Sequence, residues 1–339
     1  MTQHLLAVVD RFAGTRVAVL ADLVLDEFLH GEIARVSREA PVLIVNYQRT
    51  DAMPGGGANA VANVRALGGE PVPVGLVGAD EPGDRLIGLL DKAGVDTTSI
   101  LRRTDYRTPT KTRVLAGLPH SRPQQVIRID RPGAPATAPP EAAAAAVGRA
   151  EEVLASGVKG VLLSDYGYDL VTPASARPLV DHARRSKVTV TCDSRHRLKE
   201  FRGVTAVTPN LEEAEEMLGV RLDDGPSRLD SAGRRLMESL ACQAVLITRG
   251  PQGMTLLEDG VKPCDIPVFG SDQVADVTGA GDTVIAAFTL ALAAGATFRL
   301  AAMLANIAAG LVVMKRGTAT ISAAELRQAI ARMPGPESA

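Results

Sequence analysis

The chain has 339 residues, 46% of them hydrophobic, and 37 Lys and Arg stand against 39 Asp and Glu. That balance leaves no electrostatic footprint for nucleic acid or an anionic membrane surface, and the length suits one large domain or one plus a small one. Cys192, Cys242 and Cys264 are too far apart for a disulfide framework or a zinc site, which fits a reducing cytoplasm, and no run reaches the ~20 apolar residues of a membrane span.

Residues 4–12 read as a short amphipathic helix closed at Gly14. Residues 16–20, Arg-Val-Ala-Val-Leu, predict a central strand ending at Ala21-Asp22, with Asp26 just beyond. Ligands of open α/β sheets gather at the carboxyl ends of strands. Asp22 and Asp26 are therefore candidates to grip hydroxyls, against the plainer reading of a surface turn. Residues 27–49 break the pattern. Val42 to Tyr47 is strand-like and no helix separates it from the first strand, so the segment predicts a flap outside the main sheet.

Gly55-Gly56-Gly57-Ala58-Asn59 then opens a helix closed by Gly68-Gly69. Bare glycines at a helix start let a ligand touch backbone, and the Asn59 amide suits a hydroxyl. The same residues fit the loose G-x-G-x-x-A dinucleotide fingerprint, with Asp80 about 20 residues on. A nicotinamide oxidoreductase is thus a rival reading, weakened because the fingerprint belongs directly after the first strand. Residues 72–77 predict another strand, followed by a helix to Ala93. Residues 110–116 and 125–129 alternate polar and apolar, an antiparallel pair around His120 to Pro123 that enlarges the flap. Lys111, Arg113 and Arg128 on it face either an anionic ligand or solvent.

Residues 132–140 read as a Pro/Ala-rich linker and 141–155 as a helix. Strands at 160–164, 188–192, 206–208 and 244–248 then alternate with helices at 174–185, 211–218 and 228–240, the pattern of a parallel sheet covered on both faces. Polar residues recur at these strand ends: Asp165, Asp193, Asn210 and Thr248-Arg249-Gly250. Asn210 and Glu213 share a face at a helix start. They read as a helix cap or as a hold on hydrated Mg²⁺ near phosphates.

Asp276-Val277-Thr278-Gly279-Ala280-Gly281-Asp282-Thr283 follows, before an apolar run to Ala294. The stretch predicts a tight turn opening a buried helix, whose first N–H groups lack intrahelical partners and attract anions. Asp282 inside such a cradle suits phosphoryl transfer: donors stabilise the moving group and the carboxylate accepts a proton from the attacking hydroxyl. A simple helix cap is the competing reading. A second apolar helix, 300–314, carries Asn306 among small residues that leave room for a flat ring.

Over nearly its whole length the sequence resembles the ribokinase-like (PfkB) carbohydrate kinases, through the Gly55–Asn59 and Asp276–Asp282 signatures. Within them it is similar to the kinase modules that act on D-glycero-β-D-manno-heptose 7-phosphate, through Val36-Ser37-Arg38-Glu39-Ala40-Pro41-Val42, Gln124 to Asp130, Ser164-Asp165-Tyr166-Gly167, Thr208-Pro209-Asn210-Leu211 and Gly317-Thr318-Ala319-Thr320. The resemblance implies a three-layer α/β/α fold with a mainly parallel central sheet. Residues 1–339 would form a single kinase domain, with segments about 24–54 and 104–131 inserted as a small β-sheet lid. It implies a cytoplasmic enzyme that phosphorylates a sugar or sugar phosphate, heptose 7-phosphate at O1 being the first candidate and another sugar or a non-catalytic sugar-binding regulator the alternatives. Asp282 would be the base, and Gly279, Ala280 and Gly281 the anion hole. Asp26, Gly56, Gly57, Asn59, Asp165 and Arg128 would meet the sugar. Asn210, Glu213, Asp193, Thr248, Gly250, Gly253 and Asn306 would serve the nucleotide, with Glu213 and Asn210 also at the metal. ATP and Mg²⁺ are the implied cofactors, K⁺ a candidate third, and a homodimer through the lid the implied assembly, with no nucleic-acid or membrane partner. Bifunctional relatives carry a nucleotidyltransferase module, and the end at Ala339 leads to the expectation of a kinase alone. Two departures bear on the acceptor: Tyr168 and Arg195 stand where the heptose kinases carry lysines.

Overall fold

In the computed structural model, which describes residues 1–118, 121, 123–134, 136–222, 226–270, 275–315 and 317–333, the chain builds two sheets. His120 and Arg122, in the loop read above, and Arg316, just before the Gly317–Thr320 segment, lie outside the described residues. Helix α1 (Thr2–Asp10) leads into β1 (Arg16–Ala21). Strand side chains alternate faces. Val17, Val19 and Ala21 enter one buried cluster while Ala18 and Leu20 enter another on the opposite face. That two-sided burial is why β1 reads as an unbroken apolar run.

The chain then leaves the core through β2 (Leu23–Val36) and β3 (Leu43–Gly56), and returns as α2 (Gly57–Ala66), β4 (Glu70–Gly78), α3 (Glu81–Lys92) and β5 (Ile100–Arg103). A second excursion forms β6 (Thr110–Gly117) and β7 (Gln124–Arg131). These four excursion strands make the small sheet, in the order β3-β2-β6-β7. β2 runs antiparallel to β3 and parallel to β6, and β6 antiparallel to β7.

The second half alternates α4 (Pro140–Ala155), β8 (Gly160–Asp165), α5 (Pro173–Ser186), β9 (Thr189–Ser194), β10 (Ala206–Val207), α6 (Leu211–Leu218), α7 (Pro226–Leu240) and β11 (Ala244–Thr248). A hairpin, β12 (Met254–Glu258) and β13 (Cys264–Ile266), closes the edge, and α8 (Ala280–Ala293), α9 (Phe298–Val312) and α10 (Ala323–Ala331) complete the chain. The large sheet has nine strands in the order β13-β12-β11-β10-β9-β8-β1-β4-β5, parallel except for the hairpin. Helices on both faces give the three layers. Residues 283–291 of α8 are all buried, so this helix is apolar all round. Among the described residues, no helix is long and apolar enough to cross a membrane.

Sequence reasoning left β5, β12, β13 and α10 unassigned, and it read β2 only as part of a flap. β2 shows no clean alternation. Its inner end is buried on both faces, its outer end is exposed, and two register shifts interrupt its pairing with β3.

Candidate active site

The carboxyl ends of β9 and β11, the loop after β8 and the start of α8 open onto one cavity of about 640 Å³, walled on one side by the small sheet. At its floor stands Asp282, in the first turn of α8 and 4% exposed. Gly279 caps this helix at φ +78°, a left-handed conformation that glycine enters without strain. A Cβ there would also lie 2.5 Å from Nδ2 of Asn59. The glycine is thus required twice, by the turn and by the approach of α2. Asp276 fixes the preceding loop, accepting from the N–H of Thr278 at 2.9 Å and of Gly317 at 3.0 Å.

Both oxygens of Asp282 are held. Asn59 Nδ2 donates to Oδ2 at 2.9 Å and the Tyr166 hydroxyl donates to Oδ1 at 2.6 Å. Asn63 Nδ2 donates to Asn59 Oδ1 at 3.1 Å, and the Thr283 hydroxyl donates to Asn63 Oδ1 at 3.0 Å. That chain orients the Asn59 amide with its N–H₂ toward the acid. Burial pushes the Asp282 carboxyl up to about 6, while the Tyr166 and Asn59 hydrogen bonds and the Arg195 charge pull it down. The carboxylate is therefore mainly ionised at neutral pH.

Gly279 and Gly281 line the cavity, and a Cβ at Gly281 would meet open space. Gly281 lies in the first helical turn, where N–H groups lack intrahelical acceptors. Ala280, expected beside them, turns its N–H back to Val277 O at 3.2 Å.

The small sheet supplies a cationic wall. Lys111, Arg113 and Arg128 line the cavity, and Arg195 lines it from the loop after β9. Arg113 pairs with buried Asp26 at 3.0 Å, at an angle that makes no hydrogen bond, so Asp26 Oδ1 and Arg113 Nη1 remain unsatisfied. Burial raises the pKa of Asp26, offset by Arg113. Thr318 Oγ1 is a third unsatisfied buried atom on the cavity. Buried polar atoms without partners are uncommon, and these three are placed to receive a ligand's hydroxyls or anionic oxygens. Arg195 and Lys111 lie over the Tyr166 ring, at 4.6 Å and 5.3 Å from its centroid. Asp193, also on the cavity, is pushed up to about 8 by burial and by the charges of Glu213 and Asp282.

Asn210 and Glu213 form a capping box at the start of α6 and line the cavity as well. The cap uses Glu213 Oε2, at 2.9 Å from the Asn210 N–H. Burial raises the pKa of Glu213. Among the described residues, no cluster of three or more His, Cys, Asp or Glu forms a metal cage.

The structure brings Asp282, Gly279, Gly281, Asp26, Gly56, Arg128, Asp193, Asn210, Glu213 and Thr248 to one cavity. It puts others elsewhere. Asn59, expected at the sugar, is fully buried and spends its amide on Asp282 and on Asn63. Asp165 is paired with Arg197 at 2.7 Å and bonded by Ser194 at 2.6 Å. Asp22 accepts the N–H groups of Tyr166, Tyr168 and Leu170, so it holds backbone rather than a hydroxyl. A Cβ at Gly57 would lie 2.3 Å from Ala21 Cβ. Asn306 donates to Pro267 O at 2.8 Å. Gly250 and Gly253 take positive φ in the turn after β11, where a Cβ on Gly253 would meet Ile266 O at 2.1 Å. Gly57 and Gly253 thus serve close protein packing, whereas a Cβ at Gly250 would meet open space. Gly55 and Gly56 end β3 of the small sheet and Gly57 begins α2, so the stretch does not follow β1 and does not form the dinucleotide turn weighed above. Sequence reasoning missed the role of Tyr166, although the Ser164–Gly167 segment was in view.

The comparisons with known proteins agree with this geometry. The pfkB family carbohydrate kinase model matches residues 24–325. Bifunctional protein HldE of Azotobacter vinelandii is 42% identical over 328 residues, and that of Pseudomonas aeruginosa (strain LESB58) 41% over 329. Each alignment covers 96% of this chain and 66% of the relative, so the chain spans just under two thirds of the length of the curated relatives it matches. Arabidopsis thaliana ribokinase complexed with ribose and ATP superposes with a TM-score of 0.72 at 20% identity, over 94% of this chain and 99% of that one. Escherichia coli phosphofructokinase-2 in complex with fructose-6-phosphate gives 0.75 at 20%, over 94% and 98%. At that identity the two superpositions speak for the fold.

Proposed function

The chain belongs to the pfkB family of carbohydrate kinases, and from that premise we propose that it transfers the γ-phosphoryl group of ATP to a hydroxyl of a phosphate-bearing sugar, D-glycero-β-D-manno-heptose 7-phosphate at O1 being the first candidate. The observation that carries the reading is Asp282, ionised and held at both oxygens, beside Gly279 and Gly281 at the floor of a cavity with a cationic wall. The sugar hydroxyl gives its proton to Asp282. Its oxygen bonds the γ-phosphorus as the bond to the bridging oxygen breaks, and ADP leaves. The N–H groups at Gly279 and Gly281 face the charge that spreads over the transferring oxygens. Asp26 and Arg113 orient the acceptor, and Lys111, Arg128 and Arg195 attract its phosphate.

The donor set fits Mg²⁺ that keeps most of its waters and binds chiefly to phosphates: Glu213 offers a carboxylate to the cavity with Asn210 beside it, and the described residues form no protein cage. Bound there, the ion neutralises charge on the nucleotide's phosphates. On the outer face of the small sheet Val36, Leu43, Tyr47 and Ile127 are exposed, which favours a homodimer through this sheet. Free Cys192, Cys242 and Cys264 suit the cytoplasm.

The test is ADP release with Mg-ATP and a panel of heptose 7-phosphate, unphosphorylated heptose, fructose 6-phosphate and ribose, with products identified by phosphorus NMR. Faster turnover of the unphosphorylated sugars would overturn the phosphate-bearing acceptor. Product phosphorylated elsewhere than O1 would overturn the position.

A further inference from the structure

Asp282 is useful as a base only if a fully enclosed carboxylate stays charged and keeps one lone pair aimed at the acceptor. Burial works against the first condition. Asn59 supplies one bond, to Oδ2, and comes from α2. The other oxygen depends on a residue from the loop after β8, and its contact is shorter: 2.6 Å between the Tyr166 hydroxyl and Oδ1. That distance lies in the range of charge-assisted O–H···O⁻ bonds.

The loop that presents Tyr166 is itself over-determined. Asp22 accepts its N–H at 2.8 Å and that of Tyr168 at 3.0 Å. Asp165 accepts the Gly167 N–H at 2.9 Å and is held by Arg197 and Ser194. Two buried carboxylates that do not line the cavity thus converge on one short segment, whose phenol reaches the floor. Resting on the reading of Asp282 as the base, we propose that Tyr166 is a positioning residue that fixes Oδ1 of Asp282 and favours its charged form, so that the carboxylate meets the acceptor hydroxyl ready to take its proton.

The charged groups facing Asp282 are Arg195 and Asp193 from the β9 side, Asp26 from β2 and Lys111 from β6 over the Tyr166 ring. Tyr166→Phe leaves these charges and the ring in place and removes only the hydroxyl. Of the contacts that pull the Asp282 pKa down, the Tyr166 bond is the largest.

The experiment uses protein labelled with ¹³C at the aspartate carboxyls and needs no substrate. The Asp282 signal is assigned by its absence in Asp282→Asn and titrated in wild type and Tyr166→Phe. The expected midpoint is near 6 in the wild type, and about one unit higher in Tyr166→Phe, the shift that a hydrogen bond to a charged group is worth. Coincident midpoints overturn the proposal, and so does a lower melting temperature with an unmoved titration, which reduces Tyr166 to packing. If Tyr166→Phe does not fold, replacing the four tyrosines with 3-fluorotyrosine strengthens the donor and should lower the midpoint; an unmoved midpoint again overturns it. Turnover of Asp282→Asn separates the two readings. If it persists, the base assignment fails whatever the titration says; if it is lost while the midpoints coincide, only the role of Tyr166 fails.

Discussion

The floor and the wall of the cavity are built on opposite terms. At the floor, Asp282 is buried and both its oxygens are bonded by residues from α2 and from the loop after β8. At the wall, Asp26 Oδ1 and Arg113 Nη1 are enclosed but lack hydrogen bonds, while Arg128 is half exposed and bonded to Asp130 on its own strand. The floor is complete without ligand; the wall is not. Groups that must act in the transition state gain from being fixed beforehand. Groups that select an acceptor gain from polar atoms that only the right ligand satisfies. On the proposed reading, the chain puts its chemistry on the frame of the large sheet and its choice of acceptor mainly on the appended one.

The largest effect should come from breaking the floor. Asp282→Asn is expected to lower turnover by roughly 10²–10⁴-fold with donor affinity little changed, checked by steady-state kinetics and nucleotide titration. In the intact protein the acid must be charged to act. Its pKa is raised to about 6, so turnover should rise with pH through that value and level off above it. Gly279→Ala comes next. Its Cβ meets Asn59 Nδ2, and its φ of +78° is poor for alanine. It should cost on the order of 10²-fold in turnover and also lower the melting temperature, whereas Asp282→Asn should spare stability. If Gly279→Ala is as active as the wild type, the double requirement on this glycine is wrong.

The same contrast explains what the sequence could reveal. The turn at 276–283 was legible because its demands are local: small residues, a capping acid and an apolar helix lie within one contiguous stretch. The alternating second half gave the parallel sheet for the same reason. The bond from Asn59 to Asp282 is invisible to local reading, because its partner lies 223 residues away. No local pattern distinguishes an amide aimed at a ligand from one aimed at a distant acid. Tyr166 was passed over on the same ground, with its partner 116 residues off. Asp165 sat at the expected strand end, but Arg197 turns it inward. The small sheet was visible as an excursion, yet β2 was not, because a strand buried at one end and exposed at the other has no single period.

Breaking the wall should change acceptor affinity more than turnover. Arg113→Ala removes a mostly buried cation and leaves Asp26 as an unpaired buried acid, so KM for a phosphorylated sugar should rise about 10- to 100-fold, the range for a desolvated charge contact. Arg128→Ala should raise it less than threefold, because this guanidinium is half exposed and already bonded to Asp130. Equal effects from the two would mean that burial does not grade the wall, and the comparison between floor and wall would lose its basis.

The smallest effect concerns Asp193, which sits between the two regions. Its pKa is raised to about 8 by burial and by the charges of Glu213 and Asp282, against about 3.9 in an unfolded chain. A raised folded-state value means that the native protein binds the proton more tightly than the unfolded one. The associated stability is fully present below about pH 4 and is lost as pH rises through about 8. Asp193→Asn cannot ionise, so the free protein should melt a couple of degrees or more above wild type at pH 8.5 and show a clearly smaller gain at pH 5, where most of the linked stability remains. A gain of equal size at both pH values would mean that the substitution acts through packing and that Asp193 does not hold a proton in the unliganded cavity.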